Sequence, residues 1–258
     1  MFEGSNVALV TPMDADGAVD FPALDALIEW HIESGTQGLV AVGTTGESAT
    51  LSVDEHVAVI RRVIEVTAGR VPVIAGTGAN ATAEAIALTR AAEAAGADAA
   101  LVVTPYYNKP PQEGLYRHYM AIADAATIPI ILYNVPGRTG CDLAPTTAER
   151  LAAHPRIVAL KEAVGAPERV AELRSRLPAP FVLLSGDDAT SADAMLLGFD
   201  GVISVTANVV PAQMRALCDA ARAGDDAAAR AADAPMAGLH SALFLDPNPI
   251  PVKWALHQ

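Results

Sequence analysis

Lysine is scarce in this chain: Lys109, Lys161 and Lys253 are the only three among 258 residues. Lys and Arg together number 17 against 30 Asp and Glu, a formal net charge of −13, and no basic cluster stands out from that acidic background. A nucleic-acid surface is therefore not expected, and small molecules are the expected ligands. Two cysteines, Cys141 and Cys218, are too few for a disulfide framework. No apolar stretch approaches the roughly 18 residues that a membrane span needs. The opening MFEGSNVALVTPM lacks the basic start and long apolar core of a signal peptide, so a cytoplasmic protein without a membrane partner is expected. The six histidines show no metal-ligand spacing, and only GDD at 186–188 offers a carboxylate pair at the end of an apolar run. No metal and no other cofactor is expected from that inventory.

Hydrophobic residues, by contrast, make up 52% of the chain, enough for a large core. One pattern recurs: Gly, Pro or Asp punctuation, a short run rich in β-branched residues, then a polar or Gly-containing turn. VALVT, GLVAVGTTG, VPVIAGTG, AALVVTPYY, IPIILYNVPG, IVALKEA, FVLLSGDD and GVISVTAN are its eight instances. The runs are continuous rather than alternating, as parallel strands covered on both faces require, and most are separated by Ala-rich segments of helical length. One such segment, Ser52 to Ala68, opens with a capping box at Ser52 and Glu55 and places Val57, Ile60 and Ile64 on one face. Another runs from about Asn80 to Ala95 and stops at Gly96. Eight strand–helix units predict a (β/α)8 TIM barrel, with a doubly wound open sheet as the alternative. No GxGxxG follows the first run and no Gly/Ser-rich linker divides the chain, which favours the barrel. A catalytic barrel is expected over residues 1–224 and a C-terminal helical appendage over 225–258. PIPVKWALHQ reads as a helix start with no stop signal, so the appendage is expected to be shortened.

In such a barrel the chemistry lies at the C-terminal ends of the strands. Lys161 closes the IVALK run there. A strand-end Lys reaching solvent and a Schiff-base nucleophile fit that spacing equally well. A barrel without a metal needs a Lys Schiff base as electron sink to form a carbon–carbon bond, and apolar walls are what make an amine nucleophilic. Tyr133, ending the neighbouring run, is placed to move protons or else to pack in the core. Arg138 in PGRTG is either a surface residue or a clamp for a carboxylate. The GTTGES turn offers backbone N–H groups and the hydroxyls of Thr44 and Thr45, which suit a carboxylate as well as a tight reversal. Asp187 and Asp188 are expected in a solvated turn.

Taken together, GTTGES, TPYYN, YNVPGRTG, the strand-end KEA, GVISVTANV and the late DPNPIPVKWA resemble the 4-hydroxy-tetrahydrodipicolinate (dihydrodipicolinate) synthases. That family lies within the pyruvate-dependent aldolases that include N-acetylneuraminate lyase, and the likeness runs through nearly the whole chain. It implies a lyase that condenses pyruvate with L-aspartate 4-semialdehyde on the route to diaminopimelate and lysine. It further implies that Lys161 forms the Schiff base, that Thr44, Tyr107 and Tyr133 relay protons, and that Thr45 holds the pyruvate carboxylate. Arg138 would receive the carboxylate of the semialdehyde, and Gly186 and Ile203 would line the pocket with their carbonyls. A homo-oligomer, dimer or homotetramer, is implied because the family passes the second Tyr of Tyr106–Tyr107 into a neighbour's site. Feedback inhibition by L-lysine is implied at Ser48, Ala49, His56, Asn80, Glu84 and Tyr106. Val53 stands where lysine-inhibited bacterial members often carry His, so weaker inhibition is expected. Two other functions stay open: a sugar-acid lyase using the same Lys and Tyr, and a catalytically silent barrel.

Overall fold

The computed structural model describes all residues, 1–258. Its eight strands are β1 (Gly4–Ala8), β2 (Gly38–Ala41), β3 (Val73–Gly76), β4 (Ala99–Val103), β5 (Ile130–Asn134), β6 (Ile157–Glu162), β7 (Val182–Ser185) and β8 (Gly201–Ser204). They pair in sequence order, all parallel, and β8 returns to β1, closing a barrel. Seven of the eight β-branched runs contain a whole strand, β1 starts three residues before VALVT and shares only Val7 and Ala8 with it, and the open-sheet alternative falls.

Helices α1 (Phe21–Glu33), α2 (Val53–Thr67), α3 (Thr82–Ala95) and α4 (Gln112–Ala125) follow the first four strands. A short turn of helix, α5 (Pro136–Thr139), precedes α6 (Pro145–Ala152), and α7 (Pro167–Arg176), α8 (Ser191–Leu196) and α9 (Pro211–Arg222) complete the ring. The local signals behave as their chemistry requires. Ser52 accepts from the Glu55 N–H while the Glu55 carboxylate accepts from the Ser52 N–H, closing the capping box of α2. Its buried stripe is His56, Val59, Ile60, Val63 and Thr67, so of the expected Val57, Ile60 and Ile64 only Ile60 is fully buried and the other two are half-buried. Gly96 ends α3 in the left-handed conformation that a Cβ disfavours.

Strand residues alternate between two cores. Val40, Ile74, Leu101, Ile131, Ala159, Leu184 and Ile203 fill the barrel interior. Leu39, Val73, Val102, Leu132, Leu160 and Val202 face the helices. Fully burying one such aliphatic side chain stabilises by about 1.5–3 kcal/mol.

Beyond α9 the chain forms α10 (Asp226–Asp233), α11 (Ala237–Ala242) and α12 (Ile250–His257). Leu243 and Val252 pack with Val10 and Val205, which seats this segment on the C-terminal ends of β1 and β8. The Thr206 hydroxyl meets His240 Nδ1 at 2.8 Å, and His240 Nε2 lies 3.2 Å from Asp233. Residues after the barrel are thereby carried to its mouth.

Candidate active site

The register of β5 and β6 sets Tyr133 beside Lys161. Alternation sends both inward, two residues beyond Ile131 and Ala159. Lys161 is only 6% exposed, and its Nζ lies over the Tyr133 ring, 4.3 Å from the centroid. Of the three lysines only Lys253 makes an ion pair. The solvent-reaching alternative for Lys161 is excluded by that burial. Gly186, at the end of β7, makes room for the aliphatic stem: a Cβ there would lie 2.8 Å from Lys161 Cε. The Ile203 side chain belongs to the same apolar interior.

Thr44 and Tyr133 line one small chamber at the strand ends, together with Ser48, Gly76 and Leu101. It shares Thr44, Ser48 and Val103 with a cleft of about 370 Å3 whose walls also include Glu47, Tyr106, Arg138 and Asn248. A hollow of about 500 Å3 around Arg70 and Arg215 lies below the strands, away from Lys161. Thr45 is buried, and its hydroxyl accepts from Asn248 Nδ2 at 2.9 Å. Arg138, carried on α5, donates from Nη2 to the Asn248 carbonyl at 3.1 Å. Lys253 pairs with Glu47 at 2.5 Å, tying α12 to the GTTGES turn. The segment DPNPIPVK is thus a strap over the mouth, and Asn248 bridges two of the residues singled out from sequence. Its Oδ1 is buried without a partner. Neither Asn248 nor Glu47 was singled out by spacing, because both act across more than a hundred residues of chain. Only the position of DPNPIPVK within the family resemblance pointed to this segment.

The expectation of a solvated GDD turn needs correction at Asp188. That side chain is buried and accepts from the N–H groups of Val205 and Thr206, each at 2.9 Å. It satisfies the exposed donors at the end of β8, a role invisible in a two-residue motif. Asp187 accepts from the Thr190 hydroxyl at 2.6 Å.

One mouth therefore gathers Thr44, Thr45, Tyr133, Arg138, Lys161, Gly186 and Ile203. Tyr107 is not among them. It adopts a left-handed backbone, φ +73°, and is 89% exposed, turned away from this chain's own chamber. Of the remaining positions, Asn80 donates to the Tyr106 carbonyl at 3.3 Å. His56 is buried and its Nε2 meets the Gly76 carbonyl at 2.7 Å, so the ring is engaged inward rather than open at a surface. Burial holds its pKa below the ordinary histidine value. Ala49, Val53 and Glu84 are exposed, and Ser48 is half-buried. No group of three or more His, Cys, Asp and Glu side chains is placed to hold a metal ion. No helix is long and apolar enough to cross a membrane.

The sequence pattern of the Dihydrodipicolinate synthetase family matches residues 1–258. This chain belongs to that family. A 4-hydroxy-tetrahydrodipicolinate synthase of Methylococcus capsulatus is 62% identical over all of this chain and 89% of its own length. The crystal structure of the chloride-inhibited dihydrodipicolinate synthase of Acinetobacter baumannii, complexed with pyruvate, is 57% identical. It superposes with a TM-score of 0.98 over 100% of this chain and 88% of that one. The synthase of Cyanidioschyzon merolae with lysine bound gives a TM-score of 0.96 at 41% identity, over 99% of this chain and 88% of that one. Within the dihydrodipicolinate synthetase family, then, the strand-end Lys and Tyr stand in a chain alike throughout its barrel.

Proposed function

We propose that this chain condenses pyruvate with L-aspartate 4-semialdehyde to 4-hydroxy-tetrahydrodipicolinate, a step towards diaminopimelate and lysine. The observation that carries the reading is the buried Lys161 amine over the Tyr133 ring, at the strand ends of a barrel of this family. The amine adds to C2 of pyruvate and water leaves, giving a Schiff base. Loss of a C3 proton yields the enamine, and its C3 bonds to the aldehyde carbon of the semialdehyde, whose oxygen takes up a proton. The substrate's own amino group then displaces Lys161 from C2, closing the ring. One water is released overall. Tyr133 and Thr44 carry the protons, Thr45 receives the pyruvate carboxylate, and Arg138 the second carboxylate. Gly186 and Ile203 complete the wall. No step calls for a metal or cofactor. A coupled assay with pyruvate and L-aspartate 4-semialdehyde tests this, run beside one with N-acetylneuraminate. Turnover of the sugar acid alone would replace the reading with a sugar-acid lyase.

The relay also includes Tyr107, contributed by a second copy. Its 89% exposure on a left-handed turn supports a homo-oligomer, dimer or tetramer, in which one subunit completes another's site. Mixing Lys161→Ala with Tyr107→Phe chains is expected to restore activity, since a hybrid holds one site with both groups intact. Proven subunit exchange without recovery would dismiss the shared site. The free cysteines, Cys141 and Cys218, accord with a cytoplasmic setting.

L-Lysine is the proposed feedback inhibitor, bound beside Ser48, Ala49, His56, Asn80, Glu84 and Tyr106. The Cyanidioschyzon merolae relative with lysine bound supports that reading. Exposed Glu84 can pair with an ammonium group, and Asn80 and Tyr106 can reach a carboxylate. Val53 is 57% exposed and offers no hydrogen bond. One lost polar contact costs about 1–3 kcal/mol, so binding is expected to be weaker by up to about a hundredfold than in a His-bearing relative. Glu84→Thr is expected to remove inhibition while sparing turnover. Unchanged inhibition of that variant would place the ligand elsewhere.

A further inference from the structure

Behind the Lys161–Tyr133 pair, on the outer face of the same two strands, lies a closed polar network that none of the proposed chemical steps uses. Strand alternation points the next residues, Asn134 and Glu162, away from the barrel interior, and they too are register partners. Asn134 Nδ2 donates to Glu162 Oε1 and Oε2 at 3.0 and 3.1 Å and to Asp142 Oδ1 at 2.7 Å. Its Oδ1 accepts from the Leu143 N–H at 2.9 Å. Arg169 of α7 closes the ring: Nε to Glu162 Oε2 at 3.0 Å, Nη1 and Nη2 to Asp142 at 3.1 and 2.9 Å, and Nη2 to the Leu143 carbonyl at 2.6 Å. The Glu162 side chain is wholly buried and also accepts from the Val164 N–H at 2.9 Å. Burial raises its pKa, although Arg169 and Asn134 pull the other way.

We infer that Glu162, Asn134, Arg169 and Asp142 are positioning residues, which fix Lys161 over Tyr133 and hold the turn bearing Arg138 at the same mouth. The inference rests on the proposed Schiff-base reading. Three elements meet at this network: β5, β6 and the 136–143 turn. A single guanidinium and a single amide join all three. Glu162 does so one peptide from the nucleophile, and its backbone carbonyl accepts from the Gly186 N–H at 2.8 Å. The network therefore reaches the residue that makes room for the Lys161 stem as well. A buried ring of this kind is unforgiving, because removing one acceptor leaves the remaining donors desolvated and unpaired.

Borohydride trapping of the pyruvate adduct at saturating pyruvate tests the role, with the rate expressed per folded chain at a temperature where circular dichroism shows the variant native. Glu162→Gln replaces an acceptor with a donor facing Asn134 and Arg169 and is expected to slow trapping and kcat by about tenfold or more, since displacements of an ångström carry effects of that order. Pyruvate KM should move less than kcat, because Thr45 is untouched. Asp142→Asn, at the half-exposed rim, is expected to slow trapping about threefold and serves where Glu162→Gln does not fold. Arg169→Lys should retain more of the rate than Arg169→Met. Folded variants that trap within about twofold of the parent, whatever their melting temperature, would overturn the positioning role. A parent that traps no pyruvate would instead overturn the Schiff-base reading.

Discussion

Lys161→Met is expected to abolish the borohydride-trapped pyruvate adduct and to lower kcat/KM by about a thousandfold or more, while the protein stays folded. Methionine nearly matches the length of the lysine stem and packs well against an aromatic ring, so the interior around Tyr133 keeps its filling. The amino group it removes has no ion-pair partner to orphan and lies at a position only 6% exposed. Loss of activity with an unchanged fold would therefore report chemistry rather than collapse. Mass spectrometry of the reduced parent should find the three-carbon label on Lys161. A label on Lys109 or Lys253 would sink the assignment. Neither is placed for the reaction: Lys109 lies exposed in a turn and Lys253 is held by Glu47.

The barrel and the placing of Lys161 beside Tyr133 at its mouth were legible because both follow from local rules. Continuous β-branched runs mark strands buried on two faces, and Tyr133 and Lys161 each fall at the end of such a run, where a barrel places its chemistry. Capping at Ser52 and Gly96 is likewise decided within a few residues. What stayed hidden depends on partners distant in sequence. Asp188 looked like a solvated turn because the N–H groups it receives, those of Val205 and Thr206, lie in the turn that follows β8. Asn248, just before the expected helix start, had no reading of its own, yet its amide meets Thr45 across 203 positions. Glu162 was only the second letter of a motif until Asn134 and Arg169 surrounded it. Tyr107 is the reverse case. The family resemblance assigned it a role, and the exposed, left-handed conformation shows only that this chain's own site does not receive it.

Acidification is expected to destabilise the fold between about pH 6.5 and pH 4, through two buried histidines. His31 is fully buried, its Nδ1 meets the Thr36 hydroxyl at 3.0 Å, and its Nε2 has no partner. His118 is 6% exposed, its Nδ1 meets the Thr82 hydroxyl at 2.9 Å, and its Nε2 is also unpartnered. Burial pushes both down to about 4 from an ordinary value of 6.5. In the unfolded chain both rings take up protons as pH falls through 6.5, while the native state holds them neutral until about 4. Their contribution is thus fully present above the unfolded value and is lost as pH falls towards the folded one. Its upper bound is roughly 3 kcal/mol per ring, which together rivals the whole stability of many domains. His56, also lowered by burial, adds in the same direction. Glu162 opposes the decline, because the native state binds its proton more tightly than the unfolded chain does. Urea unfolding at about pH 7 and about pH 5 should show the parent losing several kcal/mol. The double variant His31→Gln, His118→Gln, less stable at neutral pH, should lose much less over the same interval. A variant that declines as steeply as the parent would assign the acid sensitivity to other groups.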